Sequence, residues 1–126
     1  QEFTATARRV LQHLEPGGLF LFDMNTRVGL EDLWEGETVE GWAGEIHYRW
    51  EHSFDPATGL ARVDAYFDDG EREFTEVHYE RPYEAAELEG LLSDAGFERF
   101  EAFTYPIGEV PVAQAERIWV CARRSG

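Results

Sequence analysis

Leu14-Glu15-Pro16-Gly17-Gly18-Leu19-Phe20-Leu21-Phe22-Asp23 decides how the chain is read. Pro16 cannot supply a helical N–H, and Gly17-Gly18 permits a tight reversal with positive φ, so a helix ends there. Leu19 to Phe22 is apolar without alternation, the pattern of a strand buried on both faces in the middle of an α/β sheet. Asp23-Met24-Asn25-Thr26 closes that run in polar residues. Upstream, Phe3, Ala7, Val10, Leu11 and Leu14 form one stripe at the spacing of an amphipathic helix. A doubly buried strand with only a helix before it is an incomplete sheet.

Beyond Leu33 the texture changes. Glu45 to Phe54 alternates strictly, with Ile46, Tyr48, Trp50, His52 and Phe54 on one face and Glu45, His47, Arg49, Glu51 and Ser53 on the other. Asp55 to Gly59 is a turn, after which Ala61, Val63, Ala65 and Phe67 alternate against Arg62, Asp64 and Tyr66. Asp68-Asp69-Gly70-Glu71 predicts a tight hairpin turn, and Thr75, Val77 and Tyr79 a further strand. The stretch 36–44, with Trp42, adds a short strand ahead of these. The expectation is an antiparallel meander with one wet face.

The ending returns to α/β character. Leu88, Leu91, Leu92 and Ala95 define a helix stripe, and Gly96-Phe97 reads as a left-handed C-cap with its apolar contact. Glu84 and Glu87 stand near its N-terminus, where the helix dipole favours acids. Residues 97–105 and 116–124 are strand-like, joined by a loop bearing Pro106 and Pro111.

Composition narrows the function. The 126 residues carry 11 basic and 26 acidic side chains, a formal net charge of −15, and every basic residue is arginine. Such a field repels nucleic acid and anionic lipid, so neither is an expected partner. Apolar residues at 43% and aromatics at 14% exclude a disordered acidic tail. No apolar run approaches the roughly 20 residues of a membrane span, and no signal-peptide pattern is present, so a cytoplasmic location is expected. Cys121 is the sole cysteine and lies among Ile118, Trp119, Val120 and Ala122, which predicts a buried, inert thiol. His47 and His52 point to opposite faces of one strand and cannot chelate together, so no metal is expected.

Two stretches carry a family resemblance. Leu14 to Asp23 resembles the "L-x-P-G-G, apolar strand, acid" junction of class I S-adenosylmethionine-dependent methyltransferases, where the fourth helix meets the fifth strand of a seven-stranded sheet. Glu87-Leu88-Glu89-Gly90-Leu91-Leu92-Ser93-Asp94-Ala95-Gly96-Phe97 resembles the helix and sixth strand of that fold. The strand-rich stretch between them is similar to the β-insertion of small-molecule methyltransferases, including sugar N-methyltransferases, and its ending is like His78-Tyr79-Glu80-Arg81-Pro82-Tyr83. The resemblance implies the C-terminal half of a Rossmann-like α/β sheet with an inserted antiparallel meander. Residues 1–33 and 82–126 would belong to the core, and 34–81 would cap a small-molecule methyl acceptor. It also implies S-adenosylmethionine as cofactor, gripped mostly outside this chain. The acid-x-Gly-x-Gly loop of the family has no counterpart here, because Gly17-Gly18 joins helix to strand rather than strand to helix. The chain alone is therefore expected not to bind the cofactor.

Methyl transfer needs a nucleophile held in line and a destination for its proton. Asp23 and Asn25 end the apolar strand, where open α/β sheets place ligands, and either orient or deprotonate the acceptor, Asp23 as a catalytic group, or satisfy local backbone in a turn. His78, Arg81 and Tyr83 surround the return from the insertion and offer a base, a cation and a phenol. The bland alternative pairs Arg81 with a surface carboxylate and leaves His78 on a wet face. Tyr48, Trp50 and Phe54 form either an aromatic wall against the acceptor or the packed face of the sheet.

A rival reading is a noncatalytic antiparallel module for ligand binding or interaction. The two readings differ on one point. The methyltransferase pairs Leu19–Phe22 with Ile118–Ala122 and leaves its other edge bare, whereas the module places Leu19–Phe22 in the sheet of residues 45–81. A bare apolar edge invites self-association, so a homodimer through that edge or through the β-insertion is expected.

Overall fold

The computed structural model describes residues 2–126, the side chain of Leu33 excepted. In chain order the elements are α1 (Glu2–His13), β1 (Leu19–Asn25), α2 (Arg27–Gly29) running into a π-helical turn (Leu30–Trp34), β2 (Thr38–Ala43), β3 (Ile46–Asp55), β4 (Leu60–Asp68), β5 (Glu73–Glu80), α3 (Ala85–Ala95), β6 (Arg99–Phe103), a 3-10 turn (Val112–Gln114) and β7 (Arg117–Arg123). They divide into two compact units, one built from the residues up to Thr26 together with Tyr83–Gly126, the other from Arg27–Pro82.

The first unit is a three-stranded sheet in the order β1-β7-β6. β7 runs antiparallel to both neighbours, so β1 and β6 point the same way. Phe20 faces Ala122, Phe22 faces Val120 and Met24 faces Ile118. These residues form one sheet face with Phe100 and bury against Ala7, Leu88, Leu92 and Ala95 of the two helices. Burial of a leucine such as Leu88 or Leu92 contributes roughly 1.5–3 kcal/mol.

The junction from Leu14 to Asp23 is held by backbone bonds. The Gly18 N–H donates to the Glu15 carbonyl, and the Gly18 carbonyl accepts from the Arg124 N–H, at 2.8 and 2.9 Å. The Arg124 guanidinium donates to the carbonyls of Leu11 and Leu14, satisfying acceptors that the end of α1 leaves open. At the far end of α3, Gly96 adopts φ +111°, and the N–H groups of Gly96 and Phe97 both reach the Leu92 carbonyl, as the cap signal predicted.

β1 pairs with β7 and not with the meander, as the methyltransferase reading expects and the module reading does not. The expectation of burial on both faces needs correction. Leu19 and Leu21 are 51% and 57% exposed, because within the described residues both helices cover the opposite face. Cys121 shares that outer face, across from Leu21, and is half-buried rather than enclosed.

The second unit is the expected meander, in the order β2-β3-β4-β5 with every pair antiparallel. Phe54 and Ala61 pack with Leu30 and Trp34 on one face. The opposite face is wet and carries Arg62 paired with Asp64 at 2.7 Å. That hydrogen-bonded guanidinium holds the Asp64 carboxyl below its ordinary range. The β4–β5 loop is wider than the expected Asp-Gly turn. It spans residues 69–72, with Asp69 accepting from the N–H groups of Glu71 and Arg72 at 2.9 and 2.7 Å.

Candidate functional site

At the C-terminal end of β1, Asp23 and Asn25 project to the same outer face, because strand side chains alternate with period two. Arg117 begins β7 directly opposite Asn25. Its guanidinium donates through Nε to Asp23 and through a terminal nitrogen to the Asn25 amide oxygen at 2.9 Å. One planar cation thus fixes the orientation of both polar side chains. The Thr26 hydroxyl donates to the Ala115 carbonyl at 2.5 Å, and its N–H to the Glu116 carbonyl at 3.0 Å, which fastens the end of β1 to the start of β7. A cleft of about 410 Å³ along the β6–β7 loop is bordered by Tyr105, Glu109, Gln114 and Arg117. Arg117 was absent from the sequence expectation. The signal was available: continuing the pairing of Leu19–Phe22 with Ile118–Ala122 past Phe22 brings Arg117 to the polar end of β1, opposite Asn25.

The second unit carries a basin of about 550 Å³ on one face of its sheet. Its floor is Val63 and Ala65, whose small side chains leave room above β4. Trp34, Trp50 and Phe67 supply aromatic surface, and β5 contributes Glu76, His78 and Glu80. Because β5 alternates, these three share one face opposite Ala65, Val63 and Ala61. His78 Nε2 lies 2.9 Å from Glu76, and His52 makes an edge contact with Trp34 at 4.9 Å between ring centroids. Among the described residues no arginine lines the basin, and the fixed charges there are carboxylates. Such a hollow suits a ring-bearing, cationic or hydroxyl-rich small molecule: the aromatics cover its flat faces and the carboxylates take its donors.

The expected site residues fall into two groups. Asp23 and Asn25 come together under Arg117 in the first unit, where Tyr83 also lies, its ring 5.5 Å from Phe3. His78 lies in the basin of the second unit, with Trp50 beside it in the lining. Tyr48 lies across Gly41 of β2, close enough that a Cβ there would stand 2.7 Å from the phenol oxygen. Phe54 is buried in the small core of that unit, and Arg81 follows β5 on the surface. Trp34, Glu76 and Glu80 were not singled out from sequence. The two glutamates follow from the alternation that placed His78, whereas Trp34 sits in a helical turn that no clear periodicity announced. Among the described residues no cluster of three or more His, Cys, Asp or Glu side chains is placed to hold a metal ion. No helix among them is long and apolar enough to cross a membrane.

No protein-family model matches the chain. A Bacillus subtilis (strain 168) protein named "Putative methyltransferase YqeM" is 26% identical over 125 residues, covering 95% of this chain and 50% of that protein. Among solved structures, an S-adenosylmethionine-dependent methyltransferase from Clostridium acetobutylicum ATCC 824 superposes with a TM-score of 0.72 at 25% identity, covering 99% of this chain and 52% of the other. The sugar N-methyltransferase KedS8 from Streptoalloteichus sp ATCC 53650 gives a TM-score of 0.72 at 20% identity, with coverages of 99% and 49%. The chain spans about half the length of the relatives it matches. These matches bear out the resemblance to class I S-adenosylmethionine-dependent methyltransferases and the α/β fold it implied.

Proposed function

We propose that the chain is the C-terminal portion of an S-adenosylmethionine-dependent methyltransferase acting on a small-molecule acceptor, with the Arg27–Pro82 unit contributing the acceptor site. The observation that carries this reading is the fold: β7 lies antiparallel between two strands that run the same way, and 99% of the chain superposes, with a TM-score of 0.72, on a methyltransferase about twice as long. The Gly17-Gly18 turn does not fit the cofactor. The Gly17 N–H donates to the Ser125 carbonyl and the Gly18 N–H to the Glu15 carbonyl, so the paired glycines close a turn and leave no cradle for a ligand. This chain's share is then acceptor binding and proton handling.

Within that share, Trp34 and Trp50 bracket the acceptor and Glu76 and Glu80 receive its donors. With Nε2–H donating to Glu76, His78 keeps a lone pair on Nδ1 that can take the acceptor's proton. The acidic lining favours an amine-bearing acceptor. Arg117, Asp23 and Asn25 would form a rigid polar end to β1.

The test has two arms. The coding sequence upstream of Gln1 should contain an acid-x-Gly-x-Gly loop on the order of a hundred residues earlier. Calorimetry should detect no S-adenosylmethionine binding by the 126-residue chain and clear binding once that upstream segment is included. Tight binding by the short chain, or an upstream sequence without the loop, overturns the proposal.

A further inference from the structure

His52 is held more firmly than strand pairing requires. Its backbone N–H donates to the Glu37 carbonyl at 2.8 Å, and its own carbonyl accepts from the Gly36 N–H at 3.1 Å. Those two bonds already join the segment after the helical turn to β3. The imidazole adds a third, with Nδ1 lying 3.1 Å from the same Glu37 carbonyl oxygen. A carbonyl oxygen can only accept, so Nδ1 carries the proton and Nε2 keeps a lone pair. The edge contact with Trp34, at 77° between ring planes, steadies the ring from a second side. The ring is half-buried and lines the basin, and Nε2 has no hydrogen-bond partner among the described residues.

Strand register sets a second imidazole across from it. His52 pairs with Val63 on β4, and Val63 pairs with His78 on β5, so the two histidines flank one small side chain on the same face. Their backbones stand about 10 Å apart, two strand spacings, with the basin open above Val63. The rings differ in their partners. His78 Nε2 meets the Glu76 carboxylate, whose charge steadies the imidazolium formed when a proton is taken. His52 meets a neutral carbonyl, and its lone pair is aimed by the backbone rather than by another mobile side chain. Such a group accepts a hydrogen bond and orients the molecule that donates it.

We infer that His52 determines acceptor specificity, a role that rests on the proposed acceptor site in the Arg27–Pro82 unit. Its Nε2 lone pair accepts a hydrogen bond from a second donor on the acceptor's ring, a hydroxyl or N–H on the side away from the amine that His78 serves. A ring without that donor forgoes the bond. An ether oxygen in the same place sets its lone pairs against that of Nε2 and is rejected, because the imidazole cannot turn its N–H inward without giving up Glu37.

Two amines built on one saturated ring test this. trans-4-Aminocyclohexanol and cyclohexylamine are titrated by calorimetry into the polypeptide that includes the upstream segment. The amino alcohol should bind about three- to tenfold more tightly, the worth of one added hydrogen bond, and 4-methoxycyclohexylamine should show no such gain. Nitrogen NMR of the ring should find the Nδ1–H tautomer at His52 and a shift of Nε2 on adding the amino alcohol. His52→Asn places an amide N–H where Nδ1 stands, keeping the bond to Glu37, and has no atom at the position of Nε2. It should fold as the parent does, judged by its amide spectrum, and bind the two amines equally. Equal binding by the parent, an Nε2–H tautomer at His52, or a preference that survives in His52→Asn would each overturn the role of His52 and leave the acceptor site standing. Failure of both amines to bind would overturn the acceptor site and this role together.

Discussion

Replacing Gly18 by alanine strikes the junction on which the fold reading turns. A Cβ built there stands 2.8 Å from the Glu15 carbonyl oxygen and 3.2 Å from the Leu14 Cβ. The nearest atom is backbone, held in the turn by the Gly18 N–H, so no side-chain tip can swing aside. Relief requires opening the reversal, which pulls on the bond from the Arg124 N–H to the Gly18 carbonyl that ties the turn to the chain after β7. Overpacking of this kind costs about 1–3 kcal/mol, and a weakened hydrogen bond adds about 1. Roughly 2–4 kcal/mol is therefore expected, or a fall in Tm of about 8–16 °C at about 4 °C per kcal/mol. Two other glycines separate this clash from the generic cost of losing a glycine. Gly17 has φ +77° and open space around its missing Cβ, so its alanine variant should lose only about 1 kcal/mol to the left-handed conformation. Gly90 lies inside α3 with nothing within 4 Å, and its alanine variant should gain about 0.5–1 kcal/mol. Amide exchange of β1 and β7 is the suitable assay, because three of the four tryptophans, Trp34, Trp42 and Trp50, report on the other unit. A Gly18→Ala chain as stable as Gly17→Ala, or a destabilised Gly90→Ala, would refute the reasoning.

Two further tests are direct. Leu92→Ala should cost about 2–5 kcal/mol by opening a cavity in the helix-covered face, whereas Leu21→Ala, the same chemistry at a 57% exposed position, should change urea stability of this chain by less than about 1 kcal/mol. Bonds from the N–H groups of Arg72 and Glu71 hold the Asp69 carboxyl below its ordinary range, so the β4–β5 loop should be tight at neutral pH. That contribution is complete above about pH 4, the unfolded carboxyl's range, and fades as pH falls through the lower folded value. The amide resonances of residues 71 and 72 should then titrate together in acid, and an Asp69→Ala chain should lack that titration.

Local chemistry was legible in the sequence wherever a residue's role depends on its near neighbours. Pro16-Gly17-Gly18 announced the reversal, strict alternation from Glu45 announced β3, and Gly96 announced its cap, because each works within a few residues. Coverage was not legible in the same way. Leu19 and Leu21 read as buried because they are apolar, yet exposure is set by what packs above them. Cys121 was misplaced for the same reason, since its flanking residues alternate between two faces with different cover. Arg117 went unnoticed because its partners lie more than ninety positions away in sequence. The wide loop at residues 69–72 escaped because Asp69 caps it with its own side chain, a competitor to the two-residue Asp-Gly turn.

β1 and β5, each at an edge of its sheet, differ in the cover their sequences are built for. β3 shows how this chain writes a strand with one wet face: aromatic and aliphatic residues at one parity, His47, Arg49, Glu51 and Ser53 at the other. From Leu19 to Phe22, β1 has no such parity, so half of its apolar surface gains nothing from the packing described here. At roughly 25 cal/mol per Å², that unburied area is stabilisation still to be realised, and only an apolar layer on the outer face can realise it. In the proposed enzyme the preceding half supplies both that layer and the neighbour for the open edge of β1. β5 follows the opposite logic. From Glu76 to Glu80 acid or imidazole alternates with Val77 and Tyr79, so this edge carries the charge that discourages further pairing. One edge is thus written for cover by further sequence, whereas the other carries its own charge.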